Sequence, residues 1–284
     1  MMKVKNVTKK VIVIMSLLIM VLCGTIVADS LANNLIMVEA ADATKVTVKT
    51  QSQLDKALKN KKIKSIVIKS KKAVTKYSIG KNENAVNVEL NTASGVSSHL
   101  HIAKGAKVSK VTVKGDGYTE IRTQAKSKYI IYGSENSLTH IMFFKGAEKS
   151  TIEDKYKISC LTNATTKDLN YVAPDGEVGV IDKNYSTAVW FSDDGKTLVL
   201  YGFCDREMPI KTIKLDGKTL LNGINWSTTK LDKYPGDSLF EIYKNEETNV
   251  EIYFNLKTAV KKGNHKVKIT CPGYPTFTLN VTRE

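Results

Sequence analysis

The feature that most constrains this chain is a spacing. Between residues 44 and 150, short apolar runs recur with centres about 9–13 residues apart, joined by links of Gly, Asn, Ser and Lys. The runs are Ile66-Val67-Ile68, Tyr77-Ser78-Ile79, Val86 to Leu90, Leu100-His101-Ile102, Val111-Thr112-Val113, Thr119-Glu120-Ile121, Tyr129 to Tyr132 and Ile141 to Phe144. Runs this short read as strands. Two strands per turn make a coil of about 20 residues, the period of a solenoid. One such coil cannot bury its apolar side chains alone; stacking on the next coil closes the core. The spacing therefore predicts a short parallel β-solenoid.

The region opens on an alternating strand, Val46-Thr47-Val48, followed by a helical stretch over 52–59. Ser52 with Asp55 three residues on has the form of a capping box, and Leu54, Ala57 and Leu58 make one apolar face. Lys59, Lys61 and Lys62 follow, where cations suit the helix dipole. The helix is expected to cover the first coil and block edge-to-edge pairing. A strand, a helix of this type and then Ile66-Val67-Ile68 resemble the N-terminal cap of right-handed parallel β-helix proteins, the pectate-lyase-like ones included. That resemblance implies clustered acidic residues if the chain is an enzyme. The seven acids of 44–150 (Asp55, Glu83, Glu89, Asp116, Glu120, Glu135 and Glu148) are scattered instead. No pair stands out of the kind glycoside hydrolysis needs. Arg122, the region's single arginine, is either a lyase base or a surface cation, and the second is the expectation.

Ahead of the repeats lies an export signal, residues 1–43. Lys3, Lys5, Lys9 and Lys10 precede an apolar run from Val11 to Ala28, and Ala41-Asp42-Ala43 offers a small-x-small cleavage site. The run is also long enough for an uncleaved anchor. The expectation is a secreted, cell-surface-associated protein with no stable membrane span once the signal is removed.

Charge divides the rest. The chain carries 43 basic and 28 acidic side chains, a formal +15. Residues 44–150 hold 21 basic and 7 acidic residues, net +14, and residues 151–284 hold 18 of each. The break argues for two domains, 44–150 and 151–284, with a polar link over 145–155. It also assigns long-range attraction for an anionic partner to the first domain. Lys59, Lys61, Lys62 and Lys64, then Lys69, Lys71 and Lys72, are the candidate polyanion-binding residues. Export and the lack of interleaved aromatics exclude nucleic acid as the expected partner and leave an anionic wall polymer or glycan. The alternative is that these lysines only keep a β-rich solenoid soluble. His99 and His101 share one strand face, but two ligands with no evident third do not make a metal site. No metal, cofactor or catalytic residue is assigned.

In 151–284, strand signals alternate with turns and helical periodicity is absent. Asp193-Asp194-Gly195-Lys196 links Ala188–Phe191 to Thr197–Tyr201, and Asp216-Gly217 marks a second hairpin. An antiparallel β-sandwich follows from this spacing. Thr197 to Leu200, Ile210 to Lys218, Lys262 to Ile269, Pro272-Gly273-Tyr274 and Phe277-Thr278-Leu279 resemble the immunoglobulin-like domains repeated in Gram-positive surface proteins, among them the family named for haemoglobin interaction. The residues that match are fold-making, so His265 and Tyr274 are read as structural. Trp190 reads as core, while Trp226, in a loop-like context, is the glycan-stacking candidate. Cys160, Cys204 and Cys271 cannot all pair internally; one bridge or three thiols both remain open.

The expected whole is all-β: a short solenoid with an N-terminal capping helix, then an immunoglobulin-like sandwich. Its expected role is non-enzymatic binding or adhesion at a bacterial surface. A carbohydrate-active β-helix enzyme and a structural wall component are the alternatives.

Overall fold

The computed structural model describes residues 44–70, 74–156, 158–201, 210–222, 240–245, 249–256 and 258–284. Residues 1–43, expected to be an export signal, and Lys71, Lys72, Cys204 and Trp226 lie outside the described residues.

The first coil is β1 (Lys45–Val48) and α1 (Gln51–Lys59). From there strands alternate between two walls. One parallel wall stacks β1, β2 (Ser65–Ser70), β4 (Val86–Thr92), β6 (Val108–Gly115), β8 (Lys128–Ile131), β10 (Thr151–Asp154) and β12 (Leu169–Val172), and β13 (Val178–Ile181) closes it antiparallel. The facing wall stacks β3 (Val74–Ile79), β5 (Ser97–Ile102), β7 (Tyr118–Thr123), β9 (Leu138–Phe144) and β11 (Cys160–Ala164), and β14 (Tyr185–Ser186) closes it antiparallel. This makes a β-solenoid of about 6 turns.

Alternate side chains of each strand fill the space between the walls. Ile66, Val88, Val111, Tyr129 and Ile152 stack in register on one side, and Tyr77, Leu100, Ile121, Ile141 and Leu161 on the other. All belong to one buried core. Coil length varies, because Val111 pairs with Tyr129 but Val88 with Val111. Turns at the corners absorb the difference. The tightest, Asp116-Gly117, needs glycine: a Cβ on Gly117 would sit 2.2 Å from the Ala93 carbonyl oxygen of the coil below.

The helix forms where expected, with a different cap. Thr50, not Ser52, is the N-cap; its hydroxyl accepts from the Gln53 N–H, and Gln53 Oε1 accepts from the Lys49 N–H at 2.7 Å. Thr50-x-x-Gln53 is a variant of the capping box two residues ahead of the expected one, its return bond coming from the residue before the cap. Leu54 and Ala57 enter the solenoid core, so α1 stands in for the missing strand of the first coil.

Parallel pairing does not stop at residue 150. β10 pairs with both β8 and β12, and β11 with β9, so strands expected to open the second domain continue the first. The expected link over 145–155 is a corner turn and a strand. The composition break at 150 reflects where the acids become frequent, not where the ladder ends.

The remaining strands form two antiparallel sheets. One orders β15 (Val189–Phe191), β16 (Thr197–Tyr201), β20 (Asn249–Asn255) and β19 (Phe240–Asn245). The other orders β18 (Lys218–Asn222), β17 (Thr212–Leu215), β21 (Gly263–Thr270) and β22 (Phe277–Arg283). Leu198, Leu200, Ile252 and Phe254 of the first share a core with Ile213, Val267, Ile269 and Leu279 of the second, a sandwich. Both expected hairpins are present, with Gly195 and Gly217 at positive φ. The sandwich core takes in Met142, Phe144 and Ala164, which point outward from the β3–β11 wall. Phe144 packs on Tyr274 and Phe277, and Gln124 Nε2 donates to the Gly273 carbonyl.

Candidate functional site

Two places on the solenoid concentrate chemistry. The first is a corner, where the chain passes from the β3–β11 wall to the β1–β12 wall. Each pass is a short turn, and each carries exposed lysine: Lys61, Lys62 and Lys64 before β2, Lys81 before β4, and Lys104 with Lys107 before β6. Lys126 precedes β8, Lys145 and Lys149 precede β10, and Lys167 precedes β12. Coils stack at about 4.8 Å, so these turns form a ridge of cations roughly 25 Å long. Polar side chains tie the turns together. Asn82 Oδ1 accepts from the Lys107 N–H at 2.6 Å, and Ser127 Oγ donates to the Val108 carbonyl at 2.6 Å. Ammonium groups about 5–8 Å apart repel by roughly 0.5–0.8 kcal/mol in water before screening. Among the described residues one ion pair on the ridge offsets this, Lys61 Nζ–Glu83 Oε2 at 3.0 Å with both ends exposed, and Glu148 and Asp168 lie in the later turns.

The structure thus separates the sequence candidates. Lys59, Lys61, Lys62 and Lys64 begin the ridge; Lys69 is exposed on the outer face of β2, toward the opposite corner. That opposite corner carries Asp116, Glu135, Asp175 and Glu177. The rest of the ridge escaped the sequence reading because one or two lysines per turn do not look like a cluster until the coils stack.

The second place is the outer face of the β3–β7 strands, where the sandwich lies against it. Register sets Lys76, His99, Glu120 and His140 side by side on β3, β5, β7 and β9, with Ser78, His101 and Arg122 in the next row. Glu120 and Arg122 are 2% and 4% exposed, and Arg122 Nη2 lies 2.5 Å from Glu120 Oε1. The Tyr118 hydroxyl donates to Glu120 Oε2 at 3.0 Å, and His99 Nδ1 lies 3.6 Å from Oε1. Burial pushes the Glu120 carboxyl up, but the guanidinium and the imidazoles outweigh it and hold it well below the usual carboxylate range. Burial pulls His140, stacked on Tyr201, down to about 4. A cleft of about 390 Å³ opens over one end of this grid, walled by Pro272, Gly273 and Tyr274 of the sandwich.

Two readings of the sequence are corrected here. Arg122 is a buried ion-pair partner, not a surface cation, because the sandwich covers its face of β7. Trp190 is 41% exposed, not core: its strand neighbours Val189 and Phe191 point inward, so alternation turns it out. His99 and His101 do share a face as expected, and His140 lies two strands along. No metal-holding group of His, Cys, Asp or Glu is found among the described residues. His265 binds Asp216 Oδ2 through Nδ1 at 2.6 Å, and Tyr274 packs on His101.

Comparison with known proteins found no matching family model, no matching curated protein and no matching solved structure.

Proposed function

We propose that this is a non-enzymatic extracellular binding protein of a bacterial surface that holds an anionic wall polymer or glycan along its lysine ridge. One observation carries the reading: lysine recurs at the same corner on successive coils, so that the charge forms a line. A linear polyanion laid along that line gains attraction and relieves the repulsion between coils. Lysine, a point charge on a flexible stem, suits diffuse contact with such a chain better than bidentate recognition. The rival reading as a carbohydrate-active enzyme is less well supported. Glu120 is the sole carboxylate among the described residues lining the cleft, and its low pKa with Arg122 leaves it a poor proton donor. The likeness of the sandwich to immunoglobulin-like surface modules, and residues 1–43 as an export signal, support an extracellular setting; among the described residues no helix is long and apolar enough to cross a membrane.

The test is retention on purified anionic wall polymer against salt. Reversing Lys81, Lys104, Lys126 and Lys145 to Glu should abolish retention at about 0.15 M salt, while reversing Lys69, Lys110, Lys114 and Lys155, which lie off the ridge, should leave most of it. Retention that ignores ionic strength sinks the reading.

A further inference from the structure

The cleft between solenoid and sandwich has a composition the polymer reading does not use. Its outer end is a square of four side chains from two adjacent strands. Lys76 and Ser78 of β3 are exposed, and His99 and His101 of β5 stand beside them in register. Neighbouring strands are about 4.8 Å apart, and alternate residues along one are about 6.6 Å apart. All four groups can donate a hydrogen bond, and none is an acid. Glu120 and Arg122 lie on the far side of the histidines, already engaged with each other.

His99 marks this square as a site rather than a surface. It is 6% exposed and lines the cleft, yet neither ring nitrogen meets a hydrogen-bond partner in the protein. A buried imidazole normally has its nitrogens satisfied; Nδ1 faces Glu120 Oε1 at 3.6 Å, and Nε2 is left for the contents of the cleft. The square is also held rigid. Gln51 of the capping helix accepts from the Ser78 N–H at 2.7 Å and donates to its carbonyl at 2.8 Å, and Tyr274 packs on the His101 ring at 5.4 Å. The helix and the sandwich thus fix the two strands from opposite sides.

We propose that this cleft binds a single tetrahedral oxyanion, the phosphate group of a small molecule or of a polymer linkage, between Lys76, Ser78, His99 and His101. A tetrahedral oxyanion presents acceptors in several directions and reaches donors at all four corners. A planar carboxylate reaches two. The Lys76 ammonium supplies charge at the mouth, and the His99 ring supplies a donor at the floor. The site is separate from the ridge and stands or falls without it.

The experiment follows histidine side-chain signals of the full chain by NMR as inorganic phosphate, glycerol phosphate, sulfate or acetate is added. Phosphate is expected to move the His99 and His101 signals saturably, with sulfate similar and acetate at least about tenfold weaker, while His265 stays still. Glycerol phosphate binding as tightly as phosphate assigns an esterified ligand; weaker binding assigns the free anion. Lys76→Met, at an exposed position, should weaken phosphate at least about tenfold with unchanged circular dichroism, and Ser78→Ala should do so less. The ridge reversal set should bind phosphate as the parent does. Unmoved His99 signals, acetate as tight as phosphate, or an unaffected Lys76→Met variant each overturn the proposal.

Discussion

The two walls of the solenoid are built from the same coils, and they use charge in opposite ways. Glu153 on the β1–β12 wall is half-buried at the open surface, between Lys128 at 3.0 Å and Lys155 at 2.8 Å. Glu120 on the other wall sits under the sandwich against Arg122. Both carboxyls fall below their ordinary range, Glu153 through hydrogen bonds from the two lysines, Glu120 through a cation that overcomes its burial. The outcomes for stability differ. An exposed pair exchanges water for a partner of similar worth. A buried charge has no water to return to when its partner is lost. The wall that faces solvent tolerates charge; the covered wall depends on it.

The sharpest way to break this contrast is Arg122→Met. It leaves Glu120 buried and uncompensated, and should cost about 3–5 kcal/mol in urea unfolding. The loss should shrink as pH falls below the usual carboxylate range, because protonation then relieves the stranded charge. If Arg122→Met is nearly neutral at pH 7, the sandwich does not cover this face as described.

Next in size is the response to acid. His140 is packed against Tyr201 within reach of Glu120, Arg122 and His99, and its pKa falls from 6.5 to about 4. A histidine held neutral in the fold binds its proton more readily once unfolded. Stability is therefore complete above about pH 6.5 and declines as pH drops toward 4, by roughly 2–4 kcal/mol in all. His140→Phe should flatten that slope in a series of unfolding curves. The sandwich carries the opposite case. Burial lowers His265, but its bonds to Asp216 and the Lys261 carbonyl outweigh that and raise it. Its contribution is present below pH 6.5 and fades as pH rises through the raised value, so His265→Gln should matter less at pH 9 than at pH 6.

The smallest effect belongs to the open wall. Lys155→Met removes one of two partners of Glu153 and should leave the urea unfolding midpoint close to that of the parent. A loss near that of Arg122→Met would erase the distinction between the walls.

Much of the fold was legible because β-solenoids write their period into sequence. The eight apolar runs of 44–150 correspond to strands, and the hairpins at Asp193–Lys196 and Asp216-Gly217 form as read. The cap was misplaced by two residues because Ser52/Asp55 and Thr50/Gln53 both fit a capping pattern, and the choice falls to the contacts α1 makes with the first coil. The expected boundary at 150 falls inside the stack because charge and topology change at different points: acids become frequent from Glu153 and Asp154 onward, through Asp168, Asp175, Glu177 and Asp182, while β10 to β12 continue the stack. The lysine candidates were half visible, as a cluster at 59–64 but not as a ridge. His99 was visible, and its setting was not. Glu120 and Arg122 passed as a scattered acid and a surface cation, since no local pattern says that a strand's outer face will be roofed.

The sequence by itself determined what repeats: alternation within strands, turns between them, the helix that opens the stack, and the excess of lysine. These are local, set by side chains two to four residues apart. Tertiary structure alone decided which residues twenty apart become neighbours, and which wall the sandwich covers. Stacking turned separate lysines into a line, and coverage turned an ordinary row of histidine, glutamate and arginine into a buried cluster with a cleft beside it. Burial depends on what lies above a residue, and that partner can come from more than a hundred residues away, as Gly273 does for Gln124.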